Sequence, residues 1–362
     1  MPTIAEIDPN FRIETKIDRP DIRFIDVRKC EELDFYGLYN PRTEDVFRRM
    51  PTEVTNAVSV SVAARAEESA GGRLRFCTDS GSLAIHTVMP GDGKPVHGHG
   101  NLTNRSGFDL YLRADDGTFS YFHTFIPPVD RGSGYEGVVN FPDRRMRELL
   151  LVFPDYDRVS KLFLGLQEDA RITHGGRYTY ETPVVYYGSS ITQGGCASRP
   201  GTTYQEMISR ELDCDYVNLG FSGSARGEQT MCDYLAGLDM SVFFLDYDHN
   251  APTAEELEKT HENVYRTVRR AHPETPIIMA SKTDPPVTEG AREQIEKRRA
   301  IIRATYEKAV AEGDKNVYFI DGQTVFPGRG GDSCTVDGCH PNDLGFRAMA
   351  DVFGDVIRKV IK

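Results

Sequence analysis

The stretch Val184-Val-Tyr-Tyr187-Gly188-Ser189-Ser190-Ile191-Thr192-Gln193-Gly194 reads as a short apolar strand, a sharp glycine-flanked turn carrying serines, and the start of a helix. Four further strand-like runs follow at 216–219, 242–245, 277–280 and 317–320. Between them lie stretches with helical spacing at about 204–212, 228–235, 254–270 and 290–312, and 344–361 closes the chain with one more. Five such β-α units imply an α/β fold, a five-stranded parallel sheet with helices on both faces. Sheets of this kind bind ligands at the carboxyl ends of their strands, so the loops after the strands are where chemistry is expected.

Upstream the period is different. Up to about residue 178 apolar residues alternate with period two, as in Val58-Ser-Val-Ser-Val62 and Leu83-Ala-Ile-His-Thr-Val88, with further runs at 108–113, 119–125, 149–153 and 161–166. Turn clusters such as Gly91-Asp-Gly93 and Asp115-Asp-Gly117 separate them, so this part reads as an all-β sandwich or jelly roll. The expected division is a β domain over 1–178 and an α/β domain over 179–362. The 362 residues suffice for two cores, and 39% hydrophobic and 27% charged residues are ordinary for a globular chain. No run of about 18 apolar residues occurs, and the first twenty residues lack the basic and apolar regions of a signal peptide, which gives a cytoplasmic expectation. A net charge of −12 argues against nucleic acid or an anionic membrane as partner. Seven scattered cysteines read as reduced thiols; Cys334 and Cys339 are near enough in sequence to bridge only in an oxidising setting.

Four loops carry candidate chemistry. In the first, glycines around Ser190 let the chain turn sharply and let substrate approach, and the following helix start directs N–H groups at a developing anion. A phosphate loop would need a Gly-Lys-Ser/Thr ending that this turn lacks. The second, Gly220-Phe-Ser-Gly223, and the third, Asp246-Tyr-Asp-His-Asn250, offer neutral donors suited to an oxyanion. Taken singly, a turn glycine and an N-cap asparagine are the simpler readings. The fourth, Asp337-Gly-Cys-His340, follows the last strand. A serine is a poor nucleophile until a histidine takes its proton, and the histidine needs a carboxylate to fix its tautomer. Three residues apart in a tight loop, Asp337 and His340 can supply those groups, although an isolated Asp-x-x-His is also a common surface cap.

Together and in this order the four pieces resemble the SGNH, or GDSL-like, hydrolase superfamily over about residues 183–362. The resemblance implies a three-layer α/β/α flavodoxin-like domain in which Ser190 is the nucleophile, Asp337 and His340 complete the triad, and the Ser190 N–H, Gly223 and Asn250 form the oxyanion hole; Gly220 lies in the same loop as Gly223 and competes with it for that role. Two positions depart from the family pattern. Ser189 stands where an acidic residue or Asn is common, and Asp248 where a glycine is common, which makes Asp248 and His249 candidates for lining the pocket. Gly107-Phe-Asp-Leu-Tyr111 looks like the G-x-D-L-Y motif of a β-rich domain that precedes one bacterial SGNH branch. The implied substrates are small acyl esters of sugars or other polyhydroxylated compounds, with transfer of the acyl group to another hydroxyl, or non-catalytic glycan binding, as alternatives. No cofactor is implied. His97-Gly-His99 has the look of a metal half-site, but no partner cluster accompanies it; no metal site is expected, and His97 and His99 are instead candidates for a loop leaning toward the substrate.

Overall fold

In the computed structural model of the chain, residues 14–91, 98–286 and 288–362 are described. Before the parallel sheet, the strands among them are β1 (Ile22–Asp26), β2 (Asp34–Tyr36), β3 (Arg73–Thr78), β4 (Ser82–Val88), β5 (Phe108–Arg113), β6 (Phe119–Phe125), β7 (Glu136–Asn140), β8 (Arg147–Val152), β9 (Lys161–Gln167) and β10 (Ile172–His174). They form two antiparallel sheets. One is ordered β1-β9-β4-β7; the other is β10-β3-β8-β5-β6, with β2 and β10 each pairing half of the same β3 edge. Leu74, Phe76, Ile85, Leu110, Leu151 and Leu164 come from both sheets and share one core, as the inner faces of a sandwich do.

Among the described residues three short α-helices interrupt this region: α1 (Thr52–Val58), α2 (Val60–Ala66) and α3 (Leu102–Ser106). The alternating Val58-Ser-Val-Ser-Val62 is therefore no strand. Val58 ends α1, and Ser59, with φ −171° and ψ 158°, starts α2 by accepting the Val62 N–H at 3.1 Å. A one-residue interruption between two helices has imitated a period of two, and the serine's preference for a cap decides the matter.

The second half contains β11 (Tyr180–Gly188), α4 (Ser190–Gln193), α5 (Tyr204–Leu212), β12 (Cys214–Gly220), α6 (Gln229–Ala236), β13 (Val242–Asp246), α7 (Ala254–Ala271), β14 (Ile277–Ala280), α8 (Glu289–Ala311), β15 (Val317–Ile320) and α9 (Asp343–Val360). The five strands are parallel in the order β12-β11-β13-β14-β15, which is the 2-1-3-4-5 order of flavodoxin-like sheets. Alternate residues of each strand enter opposite cores. Val185, Tyr187 and Leu245 pack with α6, α7 and α8, and Val184, Tyr186 and Phe244 pack with α5 and α9. Burial on both faces explains why these strands read as continuous apolar runs.

Polar side chains fasten the two halves together. β3 alternates Leu74 and Phe76, which enter the sandwich core, with Arg73 and Arg75, which point the other way. Arg73 is fully buried against β12: it donates to Asp215 Oδ1 at 2.5 Å and to the Tyr216 carbonyl at 2.9 Å, with its guanidinium 3.7 Å from the Tyr216 ring centre. Arg49, also buried, donates to the carbonyls of Glu68 and Arg65 on one side and of Asn218 and Gly220 on the other, at 2.6–2.9 Å. Removing that guanidinium would take a donor from four carbonyls at the seam, of which that of Arg65 retains the Glu68 N–H at 3.2 Å.

The motif at residues 107–111 belongs to the same seam. Phe108 and Leu110 enter the sandwich core, whereas the Asp109 carboxylate accepts the Gly201 N–H at 2.8 Å and an Arg199 N–H at 2.6 Å, and the Tyr111 hydroxyl donates to the Gly201 carbonyl at 3.2 Å. The motif thus clamps the loop that leaves the Ser190 turn.

Candidate active site

The carboxyl ends of β11, β12 and β13 open into a cleft of about 700 Å³ whose walls come from both halves of the chain. Ser190 enters it as the first residue of α4. Ser189 caps that helix, its hydroxyl accepting the Ile191 N–H at 3.2 Å. The short polar side chain that departs from the family pattern thus performs the same capping that an Asp or Asn would. The turn closes at Gly194, where φ is +112° and a Cβ would stand 2.6 Å from Asp155 Oδ2, so only glycine fits.

Ser190 Oγ lies 2.9 Å from His340 Nε2, and His340 Nδ1 lies 2.8 Å from Asp337 Oδ2. Asp337 also accepts the backbone N–H groups of His340 at 2.7 Å and Cys339 at 3.0 Å through Oδ1. Partial burial opposes ionisation of this carboxyl, but the His340 and Cys339 hydrogen bonds outweigh it and hold the group below the usual carboxylate range. An ionised Asp337 fixes His340 with its Nδ1 protonated and its Nε2 free to accept the serine proton. The simpler reading of Asp337 as a helix cap fails, because Asn342 caps α9.

The other donors converge on the same place. Gly223, at φ +69°, and Asn250 both line the cleft. The Ser190 and Gly223 backbone N–H groups have no acceptor among the described residues, whereas the competing Gly220 N–H is spent on Asn218 Oδ1 at 2.9 Å. Asn250 donates one amide hydrogen to the Phe221 carbonyl at 2.8 Å, which orients the group and leaves its second hydrogen unspent. Nor is it an N-cap: Thr253 caps α7.

Of the remaining candidates, His99 lies in the cleft with its ring stacked on that of His340, centres 5.1 Å apart. His97 lies outside the described residues. His249 lines the cleft, but Asp248 does not. Asp248 is only 1% exposed; its carboxylate accepts the Lys282 N–H at 3.1 Å and its carbonyl accepts from Arg298. The residue that replaces a glycine has become a buried brace for its loop. His249 sits between Asp284 Oδ1, at 2.6 Å, and Asp248 Oδ1, at 3.2 Å. Burial opposes its charging, but the two carboxylates prevail and hold its pKa well above the ordinary histidine value. Beneath the Ser190 turn, burial pushes the Asp246 carboxyl up to about 8.

Several cleft residues had no signal in the sequence. The Tyr156 hydroxyl donates to the Ser190 carbonyl at 2.9 Å, and Asn104 Nδ2 donates to the Gly194 carbonyl at 2.9 Å, so the first half of the chain grips the serine turn directly. Arg65, Arg105 and Cys196 also line the cleft. Burial pushes the Cys196 thiol up to about 12, which keeps it protonated and a poor nucleophile. Cys334 and Cys339 are free thiols; Cys334 faces the Arg329 carbonyl and Cys339 faces the cleft.

Known proteins fall in line with this architecture, which is that of an enzyme acting on ester bonds. Residues 181–358 match the model of the GDSL-like Lipase/Acylhydrolase family, and residues 22–172 match that of the GxDLY N-terminus of SGNH-hydrolase-type esterases. A GDSL-like lipase from Bacteroides ovatus superposes with a TM-score of 0.84 at 30% identity, covering 94% of this chain and 99% of its own. The chain belongs to the GDSL-like lipase/acylhydrolase family. Two more distant structures share the fold. The salicylyl-acyltransferase SsfX3 from a tetracycline biosynthetic pathway superposes with a TM-score of 0.74 at 19% identity, over 92% of this chain and 96% of its own. A family two carbohydrate esterase from Clostridium thermocellum, in complex with cellohexaose, does so with a TM-score of 0.58 at 14% identity, over 80% and 92%. No curated protein matches the sequence. No helix of the described residues is long and apolar enough to cross a membrane.

Proposed function

We propose that the protein hydrolyses small acyl esters of polyhydroxylated compounds through an acyl-enzyme on Ser190. The observation that carries this reading is the unbroken relay from Ser190 Oγ through His340 to Asp337, at 2.9 and 2.8 Å, in the wall of an open cleft. Ser190 Oγ attacks the ester carbonyl while its proton passes to His340 Nε2. The Ser190 and Gly223 N–H groups and the second Asn250 hydrogen receive the oxyanion. His340 then returns the proton to the departing alcohol as the C–O bond breaks. Water, deprotonated by the same nitrogen, releases the acid and restores the serine. A second hydroxyl compound in place of water would turn hydrolysis into transfer.

The cleft's size and its wall from the β region support a polyol ester over a long acyl chain. About 700 Å³ is in the range of small-ligand sites, and its surface sets the polar side chains of Ser61, Asn101, Asn104, Ser222 and Asn250 among apolar area. The test is a fluorophosphonate label followed by peptide mapping, alongside turnover of p-nitrophenyl acetate and of an acetylated methyl glycoside. Label on Ser190, with Ser190→Ala and His340→Ala each losing about 10³-fold or more in kcat, is the expected result. Normal turnover by Ser190→Ala would overturn the reading.

A further inference from the structure

The chain carries 55 acidic residues against 43 Lys and Arg, yet none of the described residues lining the catalytic cleft is Asp or Glu. Arg65, Arg105 and His249 line it instead. Two of these three charges are balanced in place. Arg65 pairs with Glu68 at 2.6 Å, and His249 lies between Asp284 and Asp248.

Arg105 differs. The carboxylate nearest to it is Asp157, at 3.8 Å, too far for a hydrogen bond. Asp157 is already committed to Arg131 at 2.7 Å and to the Ser106 hydroxyl at 2.6 Å. Two guanidiniums therefore share one carboxylate, and the site keeps a surplus positive charge. The Arg105 Nε is buried with no hydrogen-bond partner, and its guanidinium donates no hydrogen bond to any described residue. The side chain is only 17% exposed, so it has lost much of its water without gaining the partners that normally compensate for burial.

We propose, building on the ester-hydrolase reading above, that Arg105 is an anion-reading group and that the substrate is an ester bearing a carboxylate. One surplus cation matches a monoanion; a phosphate monoester would call for a second unpaired cation in the cleft, where Arg65 is already engaged by Glu68. The planar fork of a guanidinium also fits a carboxylate through two parallel hydrogen bonds. Its distance to the nucleophile is fixed by its own helix. α3 also carries Asn104, which holds the Gly194 carbonyl at 2.9 Å, and is preceded by Asn101, which holds the Ala197 carbonyl at 2.9 Å. Arg105 and Ser190 are thus tied to one rigid frame, so a carboxylate on Arg105 sets where the ester bond lies.

The carboxylate belongs to the alcohol half, as in an acylated sugar acid, or to the acyl half, as in a half-ester of a dicarboxylic acid. Two matched pairs separate these sources: an O-acetylated methyl glycoside of glucuronic acid, its carboxylate free, against the corresponding methyl glucoside, and p-nitrophenyl hemisuccinate against p-nitrophenyl butyrate. In one of the pairs the charged member should lead in kcat/KM by on the order of 10- to 100-fold, the worth of a charge-assisted hydrogen bond. Arg105→Met should collapse that ratio about tenfold or more, and Arg105→Lys should restore part of it. Raising salt should shrink the ratio as well. Calorimetric titration of the Ser190→Ala protein with glucuronate against glucose, and with succinate against butyrate, reads the same preference without any turnover. Equal handling of charged and neutral members in both pairs, or equal losses on both members in Arg105→Met, would overturn the proposal. Arg105-dependent carboxylate binding without Ser190-dependent turnover would instead refute the ester-hydrolase reading and leave the anion site standing.

Discussion

Replacing Asn250 by alanine separates a catalytic role from a structural one, because the structure sets two very different magnitudes. The amide donates to the Phe221 carbonyl at 2.8 Å, but that carbonyl also accepts the Ser224 N–H at 2.9 Å and the Ala225 N–H at 3.3 Å. Truncation therefore orphans no buried acceptor, and the folding cost is that of one hydrogen bond, about 1 kcal/mol. In a chain of 362 residues that shifts Tm by only about 1–3 °C. In the proposed mechanism the second amide hydrogen is one of three neutral donors aimed at the oxyanion, beside the Ser190 and Gly223 N–H groups. Loss of one such donor costs about 2.7–4 kcal/mol, or 10²- to 10³-fold in kcat, with KM little changed. Steady-state kinetics on p-nitrophenyl acetate and a calorimetric scan of the same preparation measure both quantities. Asn250→Asp is the sharper control: it keeps the side chain's size but places a carboxylate, which has no hydrogen to donate, toward the growing negative charge. It should be at least as damaged as Asn250→Ala. A near-normal kcat in Asn250→Asp, or a rise in KM at unchanged kcat in Asn250→Ala, would refute the donor role.

Two further outcomes follow from contacts around the cleft. Tyr156→Phe removes one of the hydrogen bonds to the Ser190 carbonyl but leaves the Gly195 and Gly194 N–H groups on it, at 2.7 and 3.1 Å; it should lower Tm by about 1–3 °C and reduce kcat while Ser190 still labels, and an unchanged kcat would deny that the β region steadies the turn. His249, raised above its unfolded value by Asp284 and Asp248, contributes stability that is complete below the ordinary histidine range and fades as pH climbs through its raised folded value. The Tm gap between the wild type and Asp284→Asn should accordingly persist through neutral pH and narrow on the alkaline side; a gap that widens with pH would contradict the ion pair.

What the sequence disclosed divides along physical lines. All five parallel strands are legible because burial on both faces demands unbroken apolar runs, and the long helices because their amphipathic spacing is local. Ser190, Asp337 and His340 are legible only in combination: each turn taken singly has a commoner use, and it is the order of the four short motifs along the chain that singles these residues out. β3 is not. Its Arg-Leu-Arg-Phe alternation hides behind two arginines that local rules send to solvent, whereas Arg73 and Arg75 have fully buried side chains against the α/β half. α1 and α2 were concealed by valines spaced two apart across a serine cap. Tyr156, Asn104 and Arg105 left no trace at all, because nothing in their own neighbourhoods states that they face a serine some thirty to ninety residues away.

That blind spot coincides with what the β region contributes to the site. A serine at the head of a four-residue helix has little of its own to hold it: a helix this short is not stable by itself. The turn is instead fixed from outside, by Tyr156 on the Ser190 carbonyl, Asn104 on the Gly194 carbonyl, and Glu68 and the Asp155 carbonyl on the Gln193 amide. Asp109 and Tyr111 then clamp Gly201 on the segment that leads away. All of these residues belong to the first half of the chain and the turn belongs to the second, so the seam between them helps set the position of Ser190 Oγ relative to His340, beside the bonds that Asn218, Gln205 and Asp246 of the second half make to the same turn. A substitution that loosens the seam without touching the triad, such as Asp109→Ala, should therefore lower kcat on every ester alike and slow fluorophosphonate labelling of Ser190 in proportion. Normal labelling with impaired binding of one substrate would show that the seam shapes only the pocket and that the α/β half positions its own nucleophile.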